Sequence, residues 1–192
     1  STATGTSATS ISAAVTSLAL NTQYHYRAVG TVSAVPTNGT DMTFYTLAAT
    51  PGVLVVNNAL QTTLDVTVNA TTENSNPSIT EYAIQETGGQ YVQANGSLGA
   101  TAVWQTAATW GTKTVTGLTT STMYSFSAKA RNGANVETTF GTSASGTTLA
   151  AQTVDYAVVQ FPNTTQNINV GTDLDVYTRA YESGLTTLSG EQ

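Results

Sequence analysis

The stretch 115–130, VTGLTTSTMYSFSAKA, predicts a tight turn followed by a β-strand. Gly117 and the threonine and serine residues at 119–122 are residue types that favour turns. After the turn the chain alternates between apolar and polar side chains, with Tyr124, Phe126 and Ala128 set against Ser125, Ser127 and Lys129. A period of two is typical of a strand with one apolar and one solvated face.

The same pattern occurs earlier, at 15–28, where the sequence is VTSLALNTQYHYRA. The two stretches match without a gap at an offset of 100 residues: Leu18 with Leu118, Tyr24 with Tyr124, Tyr26 with Phe126 and Ala28 with Ala128. A repeat of roughly 100 residues is the size of one immunoglobulin-type sandwich. The spacing of leucine and tyrosine fits a tyrosine corner, in which the hydroxyl bonds to the backbone a few residues upstream. We expect these leucines and tyrosines to be structural, and the ungapped match disfavours two unrelated strands of similar composition.

These residues carry a family resemblance. The stretch 115–130 resembles the turn and sixth strand of fibronectin type III domains, and Ala130-Arg131-Asn132-Gly133 is similar to the A-x-N-x-x-G run found there. The resemblance implies an all-β fold of tandem immunoglobulin-like (fibronectin type III) sandwiches. It implies almost nothing about function, because one fold supports many functions.

We predict three segments. Residues 1–48 form the C-terminal half of a fibronectin type III-like domain, with strands at 18–31 and 41–47 and a turn at 35–39. Residues 49–149 form a complete domain, with strands at 53–57, 62–68, 79–85, 113–115 and 136–148, a turn at 71–77, and Leu64, Val66, Tyr82 and Ile84 in the core. Residues 150–192 form the N-terminal strands of a further domain, with alternating stretches at 154–161 and 174–181.

The last segment resembles the start of immunoglobulin-like modules of secreted Bacteroidetes proteins. Neither terminal segment can bury its apolar face alone, and open sheet edges favour pairing with another chain. We therefore expect partners that are copies of the chain or neighbouring domains, with the C-terminal segment of one copy completing the N-terminal segment of the next. The alternative is completion by covalent neighbours in a longer polypeptide, with arbitrary ends.

Composition excludes several classes of function. Only 8% of the 192 residues are charged, the net charge is −6, and the five cations form no basic stripe, which disfavours binding to nucleic acid or to an anionic membrane surface. No apolar run approaches the roughly 20 residues that span a bilayer, and no signal peptide is visible at Ser1. Uncharged hydroxyl and amide side chains are common on secreted bacterial surface proteins, so we expect an extracellular or cell-surface location.

The chemistry-bearing residues do not form a catalytic pattern. His25 is the only histidine and there is no cysteine, so neither a serine-hydrolase triad nor a cysteine or histidine-rich zinc site is predicted. Asp173 and Asp175 have the spacing of two calcium ligands, without the acidic array that calcium requires. Glu81 and Glu86 are a weak candidate glycosidase pair, with solubility at a sheet edge as the simpler account. We predict no catalytic residues, no metal and no cofactor.

Trp104 and Trp110 are candidate carbohydrate contacts; the alternative is that one fills the core and the other covers it. Asn38, Asn69, Asn95 and Asn163 lie in N-x-S/T sequons, so glycans are a further expectation. Two functions remain open. The first is a structural subunit or repeat segment of an extracellular bacterial fibre or adhesin. The second is a spacer or accessory module of a secreted polysaccharide-degrading enzyme.

Overall fold

The computed structural model of the chain describes residues 10–151. The chain divides into two compact units, Ser1–Ala151 and Gln152–Gln192. The predicted strands at 154–161 and 174–181, with Asp173 and Asp175, lie outside the described residues. The first unit includes residues 1–48 together with residues 49–149, and the predicted division of the chain into three domain segments stays a prediction.

Within residues 10–151 the elements are almost entirely strands. The strands are β1 (Gln23–Tyr26), β2 (Val29–Val32), β3 (Val35–Asn38), β4 (Met42–Tyr45), β5 (Val55–Asn57), β6 (Leu64–Thr67), β7 (Glu81–Glu86), β8 (Tyr91–Val92), β9 (Leu98–Gly99), β10 (Gln105–Thr106), β11 (Thr112–Val115), β12 (Met123–Arg131) and β13 (Ala144–Thr147). Two single-turn helices accompany them, α1 (Ala70–Glu73) and α2 (Ala107–Trp110).

Two sheets between residues 53 and 149 form a sandwich. One sheet has the order β11-β6-β5, and the other has the order β13-β12-β7-β8-β9 with β10 paired to β7. The inward side chains of both sheets meet in one apolar core, which includes the predicted residues Leu64, Val66, Tyr82 and Ile84 together with Phe126. Gly146 on β13 lets the sheets approach closely, because a Cβ there would lie 2.8 Å from Val56 Cγ1.

The N-terminal segment is a long hairpin. Strand β1 pairs with β4, and β2 pairs with β3, both antiparallel. The turn consists of Ser33 and Ala34, whose φ angles of 52° and 65° give the left-handed conformation that two-residue hairpin turns require. The prediction of a turn at 35–39 is therefore wrong. Residues Val35–Asn38 form β3, where Pro36 is tolerated because the strand is at an edge and its missing N–H breaks no ladder bond.

Other differences from the predicted elements are local. The predicted turn at 71–77 contains α1, which begins because Asn69 and Thr72 form a reciprocal capping box. The helix α2 was not predicted, and its cap is Thr106, whose hydroxyl accepts from the backbone N–H of Thr109. The last strand is shorter than the predicted 136–148, because residues 132–143 form a loop joined to β12 by the bridge between Arg131 and Glu137.

Candidate interaction surface

In each repeat a tyrosine hydroxyl binds the backbone of the turn that precedes its strand. Tyr24 Oη accepts a hydrogen bond from the backbone N–H of Ala19 at 2.9 Å. Tyr124 Oη accepts the equivalent bond from Thr119, also at 2.9 Å. Both contacts span five residues, which is the geometry of a tyrosine corner. The leucines that precede them differ in burial: Leu118 is buried in the core, while Leu18 is half-buried.

A threonine on the returning strand repeats the same contacts in both places. Thr46 Oγ1 accepts from the N–H of Thr22 at 2.9 Å and donates to the carbonyl of Ala19 at 2.6 Å. Thr148 Oγ1 accepts from the N–H of Thr122 at 3.0 Å and donates to the carbonyl of Thr119 at 2.6 Å. The hairpin 23–45 is therefore the structural equivalent of the β12–β13 pair in the sandwich.

One face of the hairpin is apolar and uncovered among the described residues. Because Tyr24 pairs with Phe44 and Tyr26 with Met42 across the strands, these four side chains share a face. The Tyr24 and Phe44 rings stack with centroids 5.8 Å apart, and the Tyr26 ring meets Phe44 edge-on at 6.1 Å. We call this set of four residues the aromatic face.

The two repeats differ in the solvent exposure of their equivalent aromatic side chains. Phe126 is fully buried in the sandwich, whereas Tyr26 at the matching position is 54% exposed. Met42 and Phe44 are 50% and 41% exposed. The sheet β11-β6-β5 covers Phe126, and nothing within residues 10–151 covers Tyr26. An exposed cluster of large apolar side chains is typical of an interaction surface.

Three buried asparagines fix the base of the hairpin to the end of the sandwich. Asn21 Nδ2 donates to Thr80 Oγ1 at 2.9 Å, and its Oδ1 accepts from the N–H of Gly133 at 2.8 Å. Asn132 Nδ2 donates to the carbonyl of Thr46 at 3.0 Å. A buried amide with satisfied partners sets a specific geometry, since a lost bond would leave polar groups unpaired.

The linker is held by the third of these asparagines. Asn76 Oδ1 accepts from the N–H of Ala49 at 2.7 Å, and Asn76 Nδ2 donates to the carbonyl of Ala49 at 2.8 Å. The neighbouring Ala48 is buried in the sandwich core. We call the contacts of Asn21, Asn76 and Asn132 the amide junction. It orients the aromatic face relative to the sandwich.

The two tryptophans lie in different environments. Trp110 is buried, and its indole N–H donates to the carbonyl of Tyr82 at 2.8 Å. The Trp110 ring fills the core, as in the alternative in which one tryptophan is a core residue, and it has no exposed face for a sugar in this structure. Trp104 is half-buried on the outer side of the sandwich, with the Arg131 guanidinium 4.7 Å from its ring centroid.

Lys129 lies in the same cluster as Trp104. Its ammonium is 5.3 Å from the centroid of the Trp104 ring, close to the rings of Tyr91 and Phe140, and 2.6 Å from Glu137 Oε2. Burial among these rings lowers the pKa of Lys129, but the hydrogen bonds with Glu137 and Tyr91 outweigh it, so the pKa lies above its ordinary value. Arg131 is likewise paired with Glu81. Both cations are neutralised by carboxylates on the same surface.

The remaining candidate residues form no catalytic arrangement in residues 10–151. His25 Nδ1 lies 2.7 Å from Asp41 Oδ2, with both side chains exposed, on the opposite side of the hairpin from the aromatic face. Glu81 pairs with Arg131, and Glu86 accepts from the N–H of Gly88. Among the described residues, no group of three histidine, cysteine or acidic side chains could hold a metal ion, and no helix there is long and apolar enough to cross a bilayer.

The sequence matches no protein-family model and no curated protein. Similar solved structures include domains d3–d4 of the rat CD45 extracellular region, with 22% identity, 77% of this chain and 75% of that chain covered, and a TM-score of 0.39. Another is a fibronectin type III domain of human fibronectin type III domain containing protein 3, with 19% identity, 54% and 88% covered, and a TM-score of 0.36. The chicken CNTN1 FN1–FN3 domains have 14% identity, 69% and 42% covered, and a TM-score of 0.39.

The described fold is a fibronectin type III-like β-sandwich. At these identities and TM-scores the assignment depends on the order of the strands in the two sheets and on the tyrosine corner at the base of β12. The predicted all-β sandwich class is thereby confirmed, while the tandem arrangement stays a prediction. The amide junction was not predicted, because its bonds join residues 59, 86 and 112 positions apart. The local signals were Asn76 in the predicted turn at 71–77 and Asn132 in the run Ala130-Arg131-Asn132-Gly133, and neither identified a partner.

Proposed function

We propose that the chain is a structural subunit or repeat segment of an extracellular bacterial fibre or adhesin, joined head to tail to copies of itself or to neighbouring domains. The observation that carries this proposal is the aromatic face, which repeats a buried sandwich surface and is left uncovered within residues 10–151. A surface of this kind is stabilised by burial against another sheet, at about 25 cal/mol for each Å² of apolar area removed from water.

The amide junction supports a mechanical role. Flexible linkers let neighbouring domains reorient freely, whereas here the backbone of Ala49 makes two hydrogen bonds with one asparagine side chain. The hairpin and the sandwich are consequently fixed in one orientation. A rigid connection of this kind transmits force and sets a constant angle between successive units, as a fibre requires.

The second candidate function is a spacer or accessory module of a secreted polysaccharide-degrading enzyme. Trp104 favours it, because its indole is one of three rings, with Tyr91 and Phe140, that surround the Lys129 ammonium, and a group of aromatic rings on a surface resembles a stacking platform for sugars. Against this, Arg131 lies over the Trp104 ring and restricts access to one face. The fibre or adhesin is therefore the better-supported proposal.

The test is localisation in the bacterium that encodes the chain. Antibodies raised against the purified protein and detected by immunogold electron microscopy should label filaments or the cell surface. Preimmune serum and cells in which the gene is deleted provide the controls. Label confined to the culture fluid, in fractions that co-purify with polysaccharide hydrolase activity, would overturn the fibre proposal and support the accessory module.

A further inference from the structure

We infer that the aromatic face is an acceptor site for residues 152–192 of a second copy of the chain, which cover it as a donated sheet. This inference rests on the proposed function and names the partner surface. Strand donation draws its affinity from main-chain hydrogen bonds and its register from alternate side chains.

The complete sandwich contains the covered form of the same surface. Phe126 on β12 is fully buried in one core with Leu64 and Val66, the two inward side chains of β6. Strand β6 begins with the triplet Leu64-Asp65-Val66, in which Asp65 faces outward and binds Thr114 and Asn58. In the sandwich, the face that contains Phe126 is therefore covered by a strand with the sequence leucine, acidic residue, valine.

That triplet recurs in the C-terminal segment. Residues 174–176 are Leu174-Asp175-Val176, followed by an alternation in which every second residue is apolar or small: Leu174, Val176, Thr178 and Ala180. The decreasing size matters, because Phe44 and Met42 stand where the sandwich has Gly146 and Ala144. A strand covering the bulkier acceptor needs smaller side chains at some positions, and Thr178 and Ala180 provide them after the shared leucine and valine.

The path of the chain favours a second copy over the same copy. The hairpin attaches beside Asn132 and Gly133, which follow the C-terminal end of β12. Leu149 is bonded to Ser121 and Leu60, at the N-terminal end of the same strand. Strand β12 has nine residues, so the chain leaves the sandwich about 30 Å from the hairpin base. Donation across the exit point of one copy to the hairpin of the next is a heterologous contact that does not close, and repetition of it builds a filament.

Sedimentation velocity of the full chain over a range of concentrations tests the acceptor. The wild type should form a series of species larger than the dimer. Tyr26→Asp places a charge on the aromatic face and should leave the chain monomeric, with an unchanged melting temperature because Tyr26 is half exposed. Thr43→Asp, on the opposite side of the same hairpin, is the matched control and should assemble like the wild type. A wild type that remains monomeric, or a Tyr26→Asp variant that still assembles, would overturn the inference.

Mixing two defective chains tests the donor. Val176→Asp should also be monomeric, because the substitution disrupts the donor segment. Its aromatic face remains intact as an acceptor. Equal amounts of Tyr26→Asp and Val176→Asp should form a one-to-one dimer that grows no further, since one chain supplies the donor and the other the acceptor. Unchanged assembly of Val176→Asp, a closed wild-type dimer, or no association in the mixture would each contradict donation. Immunogold labelling of filaments alongside a monomeric wild type would retain the fibre proposal and reject only this linkage.

Discussion

The hydroxyl of Tyr124 is the atom that ties the turn before β12 to the strand. It accepts from the N–H of Thr119 while its ring packs against the sandwich core. Tyr124→Phe keeps the ring and removes the acceptor, so we expect the free energy of unfolding to fall by about 1 kcal/mol. Urea denaturation followed by tryptophan fluorescence measures this change. Tyr24→Phe is the comparison, because Tyr24 is outside that core, and an equal loss for both variants would contradict the assignment.

Backbone conformation at the turn is matched residue for residue between the repeats. Gly117 has a φ of 75° and its counterpart Ser17 a φ of 61°. A Cβ at Gly117 would meet no atom within 4 Å, so a substitution there tests backbone strain without a clash. We expect Gly117→Ser to lower the free energy of unfolding by about 1 kcal/mol. Gly117→Asn should cost less, because asparagine tolerates positive φ. Equal denaturation midpoints for the two variants would refute this explanation.

Tyr82 gives the sandwich a specific alkaline sensitivity. Burial raises its pKa from 10.0 to about 12, only partly offset by a hydrogen bond with Asn76. Since the folded pKa is raised, the contribution of Tyr82 to stability is complete below about pH 10 and is lost as the pH rises through 12. We expect the free energy of unfolding to fall by about 1–2 kcal/mol across this window. Denaturation curves of the wild type and of Tyr82→Phe at each pH measure this, as the difference between the two proteins. A constant difference between pH 9 and pH 12 would contradict it.

At the scale of elements, the sequence predicted what local patterns control. Alternation in 62–68 and 124–129 located β6 and β12 and their inward residues, because burial of one sheet face imposes a period of two. It failed at 35–39, where Pro36 and Asn38 suggested a turn and the turn is formed by Ser33 and Ala34. Serine and alanine are uncommon at positive φ, so the pairing of β2 with β3 must impose that conformation. Trp110 is buried because it lies at the end of α2. A helix of four residues is too short to show a periodic sequence pattern, so it was not predicted.

The contact between hairpin and sandwich can be tested through Gly133. A Cβ at this position would clash with the ring of Tyr45, so Gly133→Ala must displace that ring, and we expect the displacement to loosen the hairpin from the sandwich end. We expect faster hydrogen exchange at the amides of Ala49 and Gly133, which donate to Asn76 and Asn21, with protection in β7 and β12 retained. Gly30→Ala, in open space on the same hairpin, is the matched control. Unchanged exchange at both amides in Gly133→Ala would argue against a rigid junction.

At the scale of the molecule, the two repeats show one structural pattern in two environments. The tyrosine corner and the threonine contacts are conserved in geometry, yet Phe126 is buried and Tyr26 is exposed. Local sequence therefore determined the hairpin, and the presence of a covering sheet determined its burial. For this reason the alternating pattern predicted the strands well, but it did not predict which of the two apolar faces is covered by a second sheet. The proposed acceptor site rests on this difference in burial between two equivalent hairpins, and no single residue would indicate it.

Net charge determines how the proposed assembly should respond to salt. Each chain has a net charge of −6, so approaching copies repel one another, and the aromatic face that would be buried contains no charged residue. Raising the ionic strength from about 0.01 M to about 0.15 M shortens the Debye length from about 30 Å to about 8 Å and screens this repulsion. We expect a higher proportion of large species at the higher salt concentration by sedimentation velocity, while Tyr26→Asp stays monomeric in both buffers. Dissociation of the wild type by salt would indicate an interface held by ion pairs, and would therefore exclude apolar burial of the aromatic face as the driving force.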